Sequence, residues 1–72
     1  MKKIYRIQSV LIKRNAYSFN EASNWILQHG FKIGRIDITT NLYRFRQREP
    51  KKNVKYRISK ITHNISFVIE YI

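Results

Sequence analysis

No cysteine occurs in the chain, so disulfides and thiolate zinc sites are excluded and the fold must rest on packing alone. The two histidines, His29 and His63, cannot make a structural metal site by themselves. A cysteine-free chain suits a reducing compartment without requiring one. Proline and glycine are scarce, at one and two residues, which predicts regular structure over most of the length. Apolar runs are short, and none approaches the ~20 residues of a membrane-spanning helix. Met1-Lys2-Lys3 has the charge of a signal peptide's first segment, but Arg6, Gln8 and Ser9 interrupt the apolar stretch from Ile4 to Ile12, so no targeting segment is expected. Acids are few as well: four Asp and Glu stand against 15 Lys and Arg, a formal net charge of +11. Self-repulsion at that level destabilises a compact small domain. A chain that carries it is expected to meet a polyanion.

What is present fits one small folded domain over residues 1–72. The chain is 43% hydrophobic and 14% aromatic, too apolar for a disordered basic tail. A domain of this length buries only about 60% of the surface its unfolded form exposes, so large side chains must fill a small core. Residues 18–29 carry the signals of a helix. Ser18-Phe19-Asn20-Glu21 fits a capping box, with Tyr17 placed as a staple against Ala22. Ala22, Trp25, Ile26 and His29 follow the spacing of one buried stripe, and Gly30 supplies a left-handed stop.

Period-two patterns mark five strands, at 4–13, 33–38, 42–48, 54–61 and 65–71. In the first, Tyr5, Ile7, Ser9 and Leu11 are expected on one face, with Ile4, Arg6, Gln8, Val10 and Ile12 on the other. Thr39-Thr40-Asn41, Glu49 to Asn53 and Thr62-His63-Asn64 separate the later strands, and such short loops favour an antiparallel meander. The expected fold is α+β, β-α-β-β-β-β, with one helix on one face of an antiparallel sheet of four to five strands and the other face bare.

The basic residues concentrate on two of these strands. In the third, Tyr43, Phe45 and Gln47 alternate with Arg44, Arg46 and Arg48. Arginines two residues apart lie about 7 Å from each other, similar to the separation of phosphates along a nucleic-acid strand. In the fourth, Val54, Tyr56 and Ile58 read as core, and Lys55 and Arg57 alternate with them, with Lys60 near the end. If these strands pair as a hairpin, their basic rows lie side by side, with Lys51 and Lys52 at its tip. Arginine's planar fork can clamp a phosphate or read guanine in a major groove, which a two-stranded ribbon fits. Arginines on a solvent face can also simply maintain solubility and block edge pairing. The scarcity of acids between Leu42 and Lys60, where Glu49 stands alone, favours the binding role.

Other chemistry finds little support. No carboxylates are spaced to share acid–base work, Ser18 lacks a base and no glycine-rich phosphate loop occurs. No catalytic residue, metal, cofactor or small-molecule substrate is expected. Tyr43, Phe45, Tyr56 and Phe67 are assigned to core faces, which argues against a base-stacking platform and for backbone or groove contact with duplex DNA. Trp25 is expected to anchor the helix, His29 to cap or pack, and Asp37 to pair with a neighbouring arginine.

The segments Trp25-Ile26-x-x-His29-Gly30-Phe31-Lys32, Ile36-Asp37, Asn41-x-Tyr43-Arg44-Phe45-Arg46-Gln47, Tyr56-Arg57 and Phe67-Val68-Ile69-x-Tyr71 resemble short proteins and domains of large DNA viruses and phages to which no activity is attached. Ile38 departs from that pattern, where an acid often follows the aspartate, and so does Asn64, where a glycine often stands. The resemblance implies a viral setting and draws attention to Arg44, Arg46, Gln47 and Arg57. Together these readings predict a nucleic-acid-binding accessory protein, inside the host cell or the virion, that uses Arg44, Arg46, Arg48, Lys51, Lys52, Lys55, Arg57 and Lys60. The alternative is a virion or adaptor component whose basic face meets an acidic protein.

Overall fold

The computed structural model describes residues 5–49 and 53–71. It is an α+β fold with one helix on one face of a five-stranded antiparallel sheet. The elements are β1 (Tyr5–Lys13), α1 (Phe19–Gln28), β2 (Ile36–Ile38), β3 (Leu42–Arg46), β4 (Lys55–Lys60) and β5 (Ile65–Tyr71).

Local signals set the ends of α1. Ser18 Oγ accepts from the Glu21 amide at 3.2 Å, and the Glu21 carboxylate accepts from the Ser18 amide at 2.9 Å, closing the capping box. The backbone amide of Ser18, and then its hydroxyl, hold the Glu21 carboxyl below its ordinary pKa. At the other end Gly30 adopts φ +78°, its amide donates to Leu27 O, and the Phe31 amide donates to Ile26 O. These two bonds form a Schellman turn. The buried stripe of α1 is Ala22 and Ile26, with Trp25 half-buried beside them.

The core lies between that stripe and one sheet face. Val10, Ile12, Phe45, Ala22 and Ile26 are fully buried, and Tyr43 and Ile65 nearly so. Phe19 closes the layer from the helix, its ring 5.5 Å from that of Tyr43 and 6.3 Å from that of Phe45. Trp25 reaches Phe67, 6.5 Å away.

The strand order is β2-β3-β1-β5-β4, not a meander. Two hairpins, β2–β3 and β4–β5, flank β1, which pairs with β3 on one side and β5 on the other. Eight residues, 47–54, join β3 to β4 and carry the chain from one side of β1 to the other. That length exceeds the usual two to five residues of a hairpin loop. The expected pairing of β3 with β4 is therefore absent, because β1 and β5 lie between them. Strands spaced ~4.8 Å apart put β3 and β4 about 14 Å from each other.

A second difference lies within β1. Ile7 pairs with Ile69, but Ser9, not Gln8, pairs with Val68, so two residues of β1 oppose one of β5. This β-bulge shifts the alternation by one. Tyr5 and Ile7 share the helix side with Val10 and Ile12, while Gln8 and Ser9 both turn to the bare side. Strict alternation from Tyr5 to Leu11 does not survive it. The second strand is also shorter than expected, starting at Ile36.

Candidate functional site

Directly opposed residues in a sheet share a face, so the register assigns every described cation of the paired strands to a side. On the bare face Arg44 lies opposite Leu11, Leu11 opposite Ser66, and Ser66 opposite Lys60. In the next row Arg46 is followed by Ser9, Val68 and Ile58, and beyond it stand Arg6, Glu70 and Tyr56. Lys13 completes the set opposite Leu42. The bare face thus carries Arg6, Lys13, Arg44, Arg46 and Lys60.

Lys55 and Arg57 do not join them. Lys55 opposes Tyr71 and Arg57 opposes Ile69, residues on the helix side, so these two cations flank the helix layer on an edge strand. The reversal follows from the register of β4 on β5. It also puts Tyr56 and Ile58 on the bare face, 41% and 67% exposed, where the sequence suggested core. Val54, assigned with them, is half-buried and precedes the strand. Tyr43 and Phe45 are core as expected, and Phe67 packs against it. Arg48 lies past the end of β3, exposed, with its amide on Gln8 O. Lys51 and Lys52 lie outside the described residues.

The arginines of β3 are held, not free. Gln8 and Ser9 are fully buried on the bare face, and Arg44 covers them. Its Nε donates to Ser9 Oγ at 3.1 Å and one terminal nitrogen donates to Gln8 Oε1 at 2.9 Å. Gln8 Nε2 in turn donates to Arg48 O at 2.9 Å, and Ser9 Oγ donates to Gln8 Oε1. The bulge creates this cluster by turning two polar side chains the same way. Arg46 Nε donates to Asp37 Oδ2 at 2.6 Å, the partnership expected for Asp37.

Few acids remain to neutralise the surface. Glu21 is spent on the helix cap, Asp37 on Arg46, and Glu70 is 3% exposed, leaving Glu49. Among the described residues, Arg46 is the one Lys or Arg in an ion pair. Arg14 is held otherwise, by Thr39 O at 2.6 Å and over the Tyr43 ring.

His29 is the C-cap residue of α1 and is exposed rather than part of the buried stripe, its Nδ1 2.8 Å from Trp25 O and its ring stacked on Trp25 at 3.8 Å. His63 is exposed in the turn before β5. No group of three or more metal-binding side chains occurs among the described residues, and no described helix is long and apolar enough to cross a membrane. Comparison of the chain with protein-family models, with curated proteins and with solved structures gave no match.

Proposed function

We propose that the protein is a small nucleic-acid-binding accessory protein that lays the bare face of its sheet against a phosphate backbone. The observation that carries this reading is the imbalance on that face. Among the described residues, Arg6, Lys13, Arg44 and Lys60 stand there without an ion-pair partner, beside one neutralised cation, Arg46, and one buried acid, Glu70. A polyanion would relieve the repulsion that a net charge of +11 imposes on so small a domain. The face that binds differs from the one alternation alone suggested: Arg6 and Lys13 enter it, and Lys55 and Arg57 leave it. No two-stranded basic ribbon remains to enter a major groove, so the preference for duplex loses its geometric ground. The viral setting rests on the resemblance in Trp25–Lys32 and Tyr43–Gln47.

Neutralising the face tests the reading. The double variant Lys13→Gln, Lys60→Gln is expected to weaken oligonucleotide binding about tenfold at low salt, measured by fluorescence anisotropy, by removing two phosphate contacts. Lys55→Gln with Arg57→Gln removes the same charge from the other side and is expected to cost far less. Equal losses from the two pairs would mean that net charge, not this face, governs binding.

One observation favours a protein partner instead. Ile58 lies two-thirds exposed on an edge strand, beside a cleft of about 410 Å³ that Val68 and Tyr56 also line. An acidic strand added to β4 would cover it. Retention of such a partner after nuclease treatment, with no oligonucleotide binding, would favour that reading.

A further inference from the structure

We infer that the cleft at the Tyr5 end of the sheet takes single-stranded nucleic acid, with phosphates against Arg6, Lys32 and Arg48 and a base against the Tyr5 ring. This rests on the nucleic-acid reading and names the form of ligand that one end of the protein selects.

The cleft has a volume of about 600 Å³ and includes no acid among its described lining residues. Pockets of roughly 300–1,000 Å³ are the usual size for ligand sites. It exists because β3 stops short. The pairing of β3 with β1 ends at Ser9 and Arg46, so among the described residues Tyr5 to Ile7 have a strand neighbour on the β5 side alone. The chain leaving β3 and the chain leaving α1 meet in the space this opens. Gln47 fastens them together: its Oε1 accepts from the Lys32 amide at 3.0 Å and its Nε2 donates to Lys32 O at 2.9 Å. Lys32 and Arg48, sixteen residues apart in sequence, are thereby brought together with Arg6 in the lining of one cleft. The paired hydrogen bonds hold together the backbone segments that carry these cations, which lowers the ordering cost of binding.

Tyr5 makes the cluster more than a phosphate site. It is 55% exposed, and its ring stacks on Tyr71, 5.9 Å away at 30°. The support from Tyr71 restrains the ring while leaving surface for a base. An exposed aromatic among cations that track a backbone is the arrangement by which single strands are held without sequence preference. A duplex keeps its base faces stacked on each other and cannot use Tyr5.

The test compares labelled oligothymidylate or oligouridylate of about twelve nucleotides with a duplex of equal length, by anisotropy at the same salt. The single strand is expected to bind about tenfold more tightly than the duplex. Tyr5→Leu is expected to lose about tenfold on the single strand and nothing on the duplex, and Tyr5→Phe to bind as the parent does. Thermal unfolding of each variant shows whether it is folded. Should Tyr5→Leu not fold, the Tyr5 ring resonances of the parent protein decide: a shift on adding oligothymidylate supports the site, and none overturns it. Salt-sensitive binding that ignores Tyr5→Leu would overturn the Tyr5 site and leave the nucleic-acid reading standing. Absence of salt-sensitive binding to any of these ligands would overturn both.

Discussion

Arg44→Ala is expected to lower the stability of the fold by about 1.5–3 kcal/mol, the worth of hydrogen bonds from a charged group to buried acceptors. Arg44 is the residue that a charge argument would first remove to weaken binding, but its guanidinium satisfies Ser9 Oγ and Gln8 Oε1, both on fully buried side chains. For a domain of this size each kcal/mol moves the melting temperature by about 4–8 °C, so a drop on the order of 10 °C should appear by circular dichroism. Arg44→Lys is not a remedy, because one ammonium does not reproduce the two-nitrogen reach of a guanidinium. A melting temperature unchanged by Arg44→Ala would mean that the cluster on the bulge contributes nothing to folding. It follows that loss of binding in an Arg44 variant is interpretable only beside its melting curve, and that Lys13 and Lys60 are the cleaner probes of the face.

Affinity for any oligonucleotide is expected to fall roughly a hundredfold between about 50 and 200 mM salt. Among the described residues, four cations on the bare face, Arg6, Lys13, Arg44 and Lys60, are without an ion-pair partner. Each phosphate they neutralise releases counterions, giving a slope of log affinity against log salt of about −0.9 per contact on duplex and about −0.7 on a single strand. Four contacts give a slope of about −3 to −4. Arg46 adds little, since Asp37 already neutralises it. A shallow slope, near about −1, would show that at most one of these groups meets a phosphate.

The sequence was most legible where structure is local. The capping box at Ser18 and Glu21 and the stop at Gly30 are read within a few residues of themselves, and α1 begins and ends where they place it. The alternation of β3 is likewise as read, with Tyr43 and Phe45 inward and Arg44 and Arg46 outward, because only one of its faces is apolar. β4 is different. Tyr56 and Ile58 alternate with Lys55 and Arg57, but an edge strand is exposed on both sides, and the pattern does not say which side the helix covers. Its pairing with β5 decides, and β5 is itself apolar on both faces, with Ile65 and Phe67 on one and Val68 on the other. The bulge left a trace in the three-residue step from Ile7 to Val10, which restores one apolar face only if an extra residue intervenes. The insertion of β1 between two hairpins is non-local, and only the length of the 47–54 segment hinted at it. The same non-local step explains why the candidate site was half legible. Arg44, Arg46 and Lys60 do share a face, whereas the cleft of Arg6, Lys32 and Arg48 is assembled by the end of β3 and the turn after α1.

Whether the bare face of the sheet is the surface that meets nucleic acid is decided by an NMR titration of the ¹⁵N-labelled protein with a short oligonucleotide. Backbone and side-chain signals of Arg6, Leu11, Lys13, Arg44 and Lys60 are expected to move together, with those of Asn20, Asn24 and Gln28 on the outer side of α1 left in place. Shifts confined to α1, or spread evenly over the molecule, would contradict binding through that face.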